Sequence, residues 1–470
     1  MAAPSPPAPG RLQSVLGLGF GLAGAVGGTI GAGILRTPGL VTAQLGSTPL
    51  IAACWLLGGA YAVLGAVCVA ELAAALPRAG GWWVYAERAF GRRAGVLTGW
   101  TDWLAHCIGL AWVATTTGEI AVALLPTTTA TATAIKALAL AVIALFSLIQ
   151  WRGVRAGSSS QELLSLAKAA AFAVLVVACF VLSPANDPNA LAGSTSGIDR
   201  SAAIVPSALG TGPGGLLLPA VLALQAVITT YDGWASPVYF AEEFSDPGRD
   251  LPRSLIGGVL AVLLLYLLIN AGLLRVLPLP LLAASSLPAA TAAEALVGPA
   301  GALAISAIAL VALLGLVNTV VMAAPRILYG LASETLLPAP LAGVNAGGTP
   351  GPALLLTSGT AAALVLLGSV ERLLAMGAVL CVSLPLIGMA ALLRLRLREP
   401  ELARPFRCWG YPLTPVLIAG GSLAFVLAAV AADPISSLAA LGLALLALGL
   451  PAATQTPAAA SDGRPDSPET

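Results

Sequence analysis

The run Gly27-Gly28-Thr29-Ile30-Gly31-Ala32-Gly33-Ile34 decides how this chain is read. It interrupts an apolar stretch, residues 14–40, that is otherwise long enough to cross a bilayer as a helix. Four glycines fall within seven residues, and each costs a helix about 1 kcal/mol relative to alanine. One reading is an unwound segment. Its free amides, at the start of an outer half-helix, would bind a carboxylate through hydrogen bonds and the helix dipole. The other is close packing of helices through small residues. Just upstream, Gly19-Phe20-Gly21-Leu22-Ala23-Gly24 matches the dinucleotide fingerprint G-x-G-x-x-G. No strand precedes it, and Gln44 stands where an acid belongs, so it is not a dinucleotide site.

The composition around this run points to lipid as the solvent. Of 470 residues, 58% are hydrophobic and 9% charged, against about 25% charged in a soluble domain. A net charge of +1 leaves no nucleic-acid footprint. We count twelve apolar spans, near 14–40, 48–76, 94–125, 131–150, 160–183, 215–241, 254–277, 298–331, 351–369, 372–395, 413–431 and 435–453. Breakers such as Pro77-Arg78-Ala79-Gly80-Gly81 and Asp246-Pro247-Gly248-Arg249 separate them. Their length favours helices over the shorter alternating strands of a barrel. The predicted class is an all-α polytopic membrane protein. A single domain, 14–453, lies between disordered cytoplasmic tails at 1–13 and 454–470.

The basic residues orient these spans. With the N-terminus in the cytoplasm, sixteen of the 22 Lys and Arg fall inside, among them Arg78, Arg88, Arg92, Arg93, Arg152, Arg155 and Arg394. Five fall outside: Arg36, Lys136, Arg200, Arg275 and Arg372. Lys168 lies within span 5. This is a strong positive-inside bias, and it places both termini in the cytoplasm.

The sixth span also breaks helix rules, at Thr229-Thr230-Tyr231-Asp232-Gly233-Trp234-Ala235. An acid at the centre of a span costs at least about 2.5–3.5 kcal/mol, so Asp232 faces a cavity, a partner ion or a helix end. It tunes a cation or proton at the break, or it caps the second half-helix. Interruptions in spans 1 and 6 are what an inverted repeat of five plus five helices produces, and they mark a substrate site near the midplane. No cysteine of Cys54, Cys68, Cys107, Cys179, Cys381 and Cys408 forms a C-x-x-C pair, and the chain has one histidine. Neither a zinc site nor a disulfide framework is expected. No G-x-x-x-x-G-K-[ST] run is present, and no nucleophile, zinc cluster or paired catalytic acids indicate an enzyme. No cofactor is expected.

Five ordered motifs then resemble the amino acid–polyamine–organocation superfamily of amino-acid permeases. Gly28 to Gly39 is similar to its first-helix signature. Ala70-Glu71-Leu72 with Pro77 to Tyr85 resembles the stretch after its second helix. Tyr231-Asp232-Gly233-Trp234 with Glu242-Glu243, Pro247 and Leu251-Pro252-Arg253 resembles helix 6 and the following loop. Pro325-Arg326, Ala332-Ser333 with Leu337-Pro338, and Arg404-Pro405-Phe406-Arg407 are similar to later landmarks. The resemblance runs from about residue 15 to 453 and is closest to the L-type amino-acid transporters and their bacterial exchangers.

It implies a LeuT-type fold, with helices 1–5 and 6–10 as inverted repeats and helices 11 and 12 as accessories. The site it implies comprises Thr29, Ile30, Gly31, Ala32, Gly33, Thr229, Thr230, Tyr231, Asp232 and Gly233. The substrate carboxylate would meet amides near Gly31, Ala32 and Gly33. Its ammonium would meet carbonyls near Thr29, Thr229, Thr230 and Asp232. Many relatives carry serine at Ala32 and an aromatic gate at Thr229, so the substrate side chain is not predicted. Lys168 is the candidate coupling residue. It carries a proton, stands where sodium-driven relatives hold a cation, or snorkels to an interface. Animal relatives pair with a heavy subunit through a cysteine between helices 3 and 4. Here that loop, Leu125 to Ala132, has none, so a monomer or homo-oligomer without a disulfide-linked heavy subunit is expected.

Other polar residues in spans have weaker readings. His106 reads first as a hydrogen-bonded structural histidine and second as a proton relay. Asp102 and Glu119 are placed near span ends. Arg36 steers carboxylates or pairs within a vestibule. Glu242, Glu243, Arg249 and Arg253 form a cytoplasmic latch or a solvated loop. Asn318 hydrogen-bonds across helices. The expected function is secondary transport of amino acids across the cytoplasmic membrane by alternating access, as exchange or proton-linked uptake. A membrane sensor of amino acids is the alternative, and a channel a weaker third.

Overall fold

A computed structural model describes residues 12–31, 33–124, 131–182 and 217–449. Ala32, Arg200, residues 125–130 of the loop after helix 3 and most of both predicted tails lie outside the described residues. Among the described residues there is no β-strand, only one isolated bridge between Leu16 and Phe244.

Every predicted span has a helical counterpart. The first is α1 (Leu18–Thr29) and α2 (Gly33–Leu45), bent by 46° at the glycine run. Next come α3 (Thr48–Ala75), a short α4 (Trp82–Phe90), α5 (Arg92–Leu124), α6 (Ala132–Trp151) and α7 (Val154–Val181). The sixth span is α8 (Leu217–Tyr231), a break, and a 3-10 helix Ser236–Glu243. Then follow α9 (Pro247–Val276), the short α10 (Leu279–Ala284) and α11 (Pro288–Val297), and α12 (Pro299–Ser333). The chain continues through α13 (Gly351–Leu367), α14 (Val370–Arg398), α15 (Leu413–Ala432) and α16 (Pro434–Leu445). Eight of these helices are long and apolar enough to cross a membrane alone, and the α1–α2 pair makes a ninth. The shorter α8, α13 and α16 match the remaining predicted spans. Sequence reading missed α4, α10 and α11, which lie between spans.

Side-chain chemistry sets several helix starts. Asp246 caps α9 by accepting from the Arg249 amide at 3.3 Å, and Asp433 caps α16 through Ser436 at 3.0 Å. Such caps satisfy amides that a helix leaves without partners.

The packing has the order of a five-plus-five repeat. The second and seventh spans (α3, α9) pack together, as do the third and eighth (α5, α12) and the fourth and ninth (α6, α13). The broken first and sixth spans meet through α2 and α8. Half of the most apolar window of α3 and of α5 is buried, 50% in each, against 17% in α6 and in α15. The central helices are therefore shielded by a periphery whose leucines and valines, such as Leu148, Val174, Leu417 and Leu427, face outward. This is the all-α, LeuT-type arrangement.

The arginine-rich end is shut. The Leu16 amide donates to the Glu243 carbonyl and the Ser245 amide to the Leu16 carbonyl, both at 2.9 Å. Leu12 packs against Ala79 and Tyr329. At the opposite end α10 and α11 lie over α2, where a Cβ on Gly39 would stand 2.6 Å from the Ser285 carbonyl oxygen and 3.0 Å from Pro288 Cγ.

Candidate substrate site between the two broken helices

The two breaks touch through their backbones. Gly233 has a φ of 107°, in the region that favours glycine, and a Cβ there would strike the carbonyl of Gly28. A Cβ on Gly28 would in turn meet the Gly233 carbonyl oxygen at 2.6 Å. Only glycine at both positions lets the half-helices approach this closely.

One face of α7 supports the first break. Gln161, Ser165 and Lys168, at helical spacing, point at α1. Ser165 Oγ donates to the Ala23 carbonyl at 2.8 Å. Lys168, with no exposed surface, donates to the carbonyls of Gly27 at 2.7 Å, Ile30 at 3.1 Å and Ala312 of α12 at 3.4 Å. The snorkelling alternative is thereby corrected: the amine is buried where α1 unwinds. Burial of this amine is tolerable because all three of its hydrogens find carbonyl acceptors: those of Gly27 and Ile30 are left free where α1 ends, and that of Ala312 lies within α12.

Tyr266 of α9 ties both breaks together. Its hydroxyl lies 3.1 Å from the Thr29 carbonyl oxygen and 3.3 Å from that of Thr230. Thr37 Oγ1 and Thr230 Oγ1 share a hydrogen bond of 2.7 Å, which joins α2 to α8. Thr29, Thr230 and Thr229 also bond back to carbonyls one turn earlier.

The predicted site residues divide by accessibility. Gly33, Thr229 and Asp232 are exposed, and Gly31 and Gly233 half-exposed. Ile30, Thr29 and Thr230 are buried and contribute backbone. Tyr231 turns away from the space, its ring against Trp55 and Tyr266. The first amides of α2 have no helix carbonyl ahead of them, and a Cβ on Gly31 would touch only Leu316 Cδ2, at 3.7 Å. Asp232 Oδ1 accepts from the Gly233 amide at 2.9 Å. Further out, a cavity of about 160 Å³ is lined by Leu35, Arg36, Thr116, Ile120 and Ser306, among others. Arg36 makes no ion pair among the described residues.

The neighbouring polar residues depart from their sequence readings. Asp102 is not near a span end but fully buried within α5, where it accepts from Tyr239. Of the four residues read as a latch or a solvated loop, Glu243 is buried in a bidentate pair with Arg326 of α12. Glu242, Arg249 and Arg253 are exposed. Asn318 joins three helices, accepting from Gln150 and Ser160 and donating to Gln161. Two distant motifs also meet, for Glu71 of α3 pairs with Arg396 of α14 and Arg404 of the loop after it. Sequence reading missed Tyr266 and Thr37. Their only signal was polarity inside a span.

Two interrupted helices in backbone contact, inside an all-helical bundle of apolar spans, are the arrangement of a secondary transporter. The chain matches the family model described as "Amino acid permease" over residues 12–442, and it belongs to that family. It is similar to the serine/threonine exchanger SteT of Bacillus subtilis (strain 168), with 26% identity covering 88% of this chain and 91% of that one. It is 27% identical to the human b(0,+)-type amino acid transporter 1, covering 90% and 84%. It is 28% identical to the mouse Asc-type amino acid transporter 1, covering 84% and 73%. These relatives are transporters and exchangers; none supports the sensor alternative.

Proposed function

We propose that this permease exchanges amino acids across the cytoplasmic membrane by alternating access. The single domain 14–453 spans the bilayer twelve times with both termini inside. The observation that carries this reading is the backbone contact of Gly28 and Gly233, near which Gly33, Thr229 and Asp232 are exposed. The substrate carboxylate binds at the amides of Gly31 to Gly33, where hydrogen bonds and the helix dipole favour an anion. Its ammonium lies against the carbonyls of the first and sixth breaks. Lys168 fills the position of a coupling cation with its own amine, which supports exchange without sodium. On this reading the shut, arginine-rich end faces the cytoplasm.

Partnership follows from the cysteines. Five of the six are buried and Cys381 is half-buried, which supports a chain without a disulfide-linked second polypeptide. We propose a monomer or homo-oligomer. A single size on non-reducing and reducing gels supports this, and a second polypeptide released by reductant opposes it.

Counterflow in proteoliposomes tests the main reading. Vesicles preloaded with each of the twenty amino acids should take up the same labelled amino acid for at least one of them, without sodium. Uptake only in sodium medium, or no counterflow at all, would reject it.

A further inference from the structure

The cavity of about 160 Å³ has no task in exchange as described so far. Three helices and one turn build it. α2 supplies Arg36, α5 supplies Thr116 and Ala123, α12 supplies Ser306, and Leu287 adds a wall from the turn between α10 and α11. At about 30 Å³ per water in the liquid, it holds about five waters, which is room for an amino acid of the size of alanine or serine.

The polar groups of the lining are available to a ligand. Arg36 is its one charged residue, is exposed, and makes neither an ion pair nor a hydrogen bond among the described residues. Thr115 and Thr117 bond back to the carbonyls of Ala111 and Val113 at 2.8 and 2.7 Å. Thr116, between them, lines the cavity and makes no such bond among the described residues. Ser306 Oγ donates to the Ala302 carbonyl at 3.1 Å, so its lone pairs remain to accept. A guanidinium fork with a hydroxyl donor fits a carboxylate, and a hydroxyl whose own proton is engaged fits an ammonium. Arg36 also stands about one turn beyond Gly33 on α2, about 4.5 Å further along the axis, and both residues are exposed. A carboxylate leaving Arg36 thus has a short way to go to the amides of the first break.

We propose that this cavity is a second binding site, on the outer path, where Arg36 and the Thr116 hydroxyl hold the carboxylate of an arriving small amino acid and Ser306 accepts from its ammonium before the molecule passes to the break. The inference rests on the exchange reading and deepens it, because it gives one direction of entry a site that the other direction lacks. Loss of this site weakens capture from outside and leaves capture from inside to the central site.

Measurement from each face tests this. Intact cells present the outer face of the protein to labelled L-serine, and inverted membrane vesicles present the inner face. In Arg36→Gln the ratio of outer to inner KM should rise about tenfold, the size of one lost hydrogen bond to a charged group. Arg36→Lys keeps the charge without the fork and should recover part of the ratio. Ala123→Trp, at an exposed position of the lining, should raise the same ratio by filling the cavity without changing its charge. A KM that rises equally at both faces in Arg36→Gln, a wild-type ratio in both Arg36→Gln and Ala123→Trp, or exchange of large amino acids alone would overturn the proposal while leaving exchange standing. No exchange of any amino acid would overturn both readings.

Discussion

Glu243 and Arg326 form a two-pronged ion pair without exposed surface, with Arg326 Nε 3.0 Å from Glu243 Oε1 and Nη2 3.4 Å from Oε2. A third donor, Nη1, reaches the Met322 carbonyl at 2.8 Å, and the guanidinium lies over the Phe240 ring at 5.5 Å. The pair joins the inner half of the sixth span to α12 beneath the substrate site. Any motion that opens the arginine-rich end must separate or hydrate it.

Removing one partner should therefore favour opening and weaken the fold. Glu243→Ala or Arg326→Ala leaves a buried charge without a counterion, a loss of about 3–5 kcal/mol. We expect a lower midpoint of thermal unfolding. A cysteine introduced at Leu16, which is buried in the closed form, should be alkylated faster. Replacing both residues by methionine should recover stability. Unchanged alkylation in both single variants would show that the pair does not hold the gate.

Lys168 is packed as well as bonded. A Cβ on Gly315 would stand 2.8 Å from its Cε and Nζ. Gly315→Ala should displace the amine without altering it and reduce exchange nearly as far as Lys168→Ala does. In Lys168→Ala three carbonyls lose their donor, and a stability loss of about 2–3 kcal/mol is expected. Exchange by Gly315→Ala at the wild-type rate would contradict this.

The glycines of the two breaks should separate folding from binding. Gly233→Ala forces a side chain into the left-handed region and against Gly28, so it should reduce the yield of folded protein. At Gly31 there is room in the fold, and Gly31→Val should insert normally yet lose at least tenfold in substrate affinity. Gly33→Val should do the same while also pressing on Thr230, whose Cγ2 is 3.2 Å from the added Cβ. Thermal-shift titration with the exchanged amino acid distinguishes these outcomes. Normal affinity in both valine variants would remove the carboxylate from this break.

Cys68 of α3 and Cys408 of the loop after α14 place their sulfurs 3.4 Å apart. The hydrogen bond from Cys68 holds the Cys408 thiol below its ordinary pKa, which favours the reactive thiolate. The Cys408 amide donates to Glu71 Oε2 at 2.6 Å, which fixes the loop. Copper phenanthroline should join the two cysteines in the purified protein, read as a linked peptide pair by mass spectrometry. Cys68→Ser should abolish the link. Failure to cross-link would mean that the loop leaves α3 in solution.

Much of the fold was legible because lipid imposes strong rules on sequence. Apolar length marked the spans, glycine density marked the first interruption, and an acid within an apolar span marked the second. The contacts that tie the site together were less legible. Tyr266, Thr37 and Asp102 are polar residues inside apolar helices, and their partners are carbonyls or residues far away in the chain. A linear pattern does not say which face of α5 or α9 turns inward. For that reason Asp102 was placed at a span end and Glu243 was grouped with three exposed neighbours.

The amine of Lys168 is held by the chain itself, and it satisfies the unwound end of α1 without anything drawn from the medium. An ion borrowed from solution comes and goes with salinity and with the energisation of the cell. A tethered ammonium does neither. On the exchange reading, turnover then depends on the composition of the two amino-acid pools, and it persists in starved or uncoupled cells whose cation gradients have run down. Such a carrier rebalances what a cell already holds and does not concentrate it.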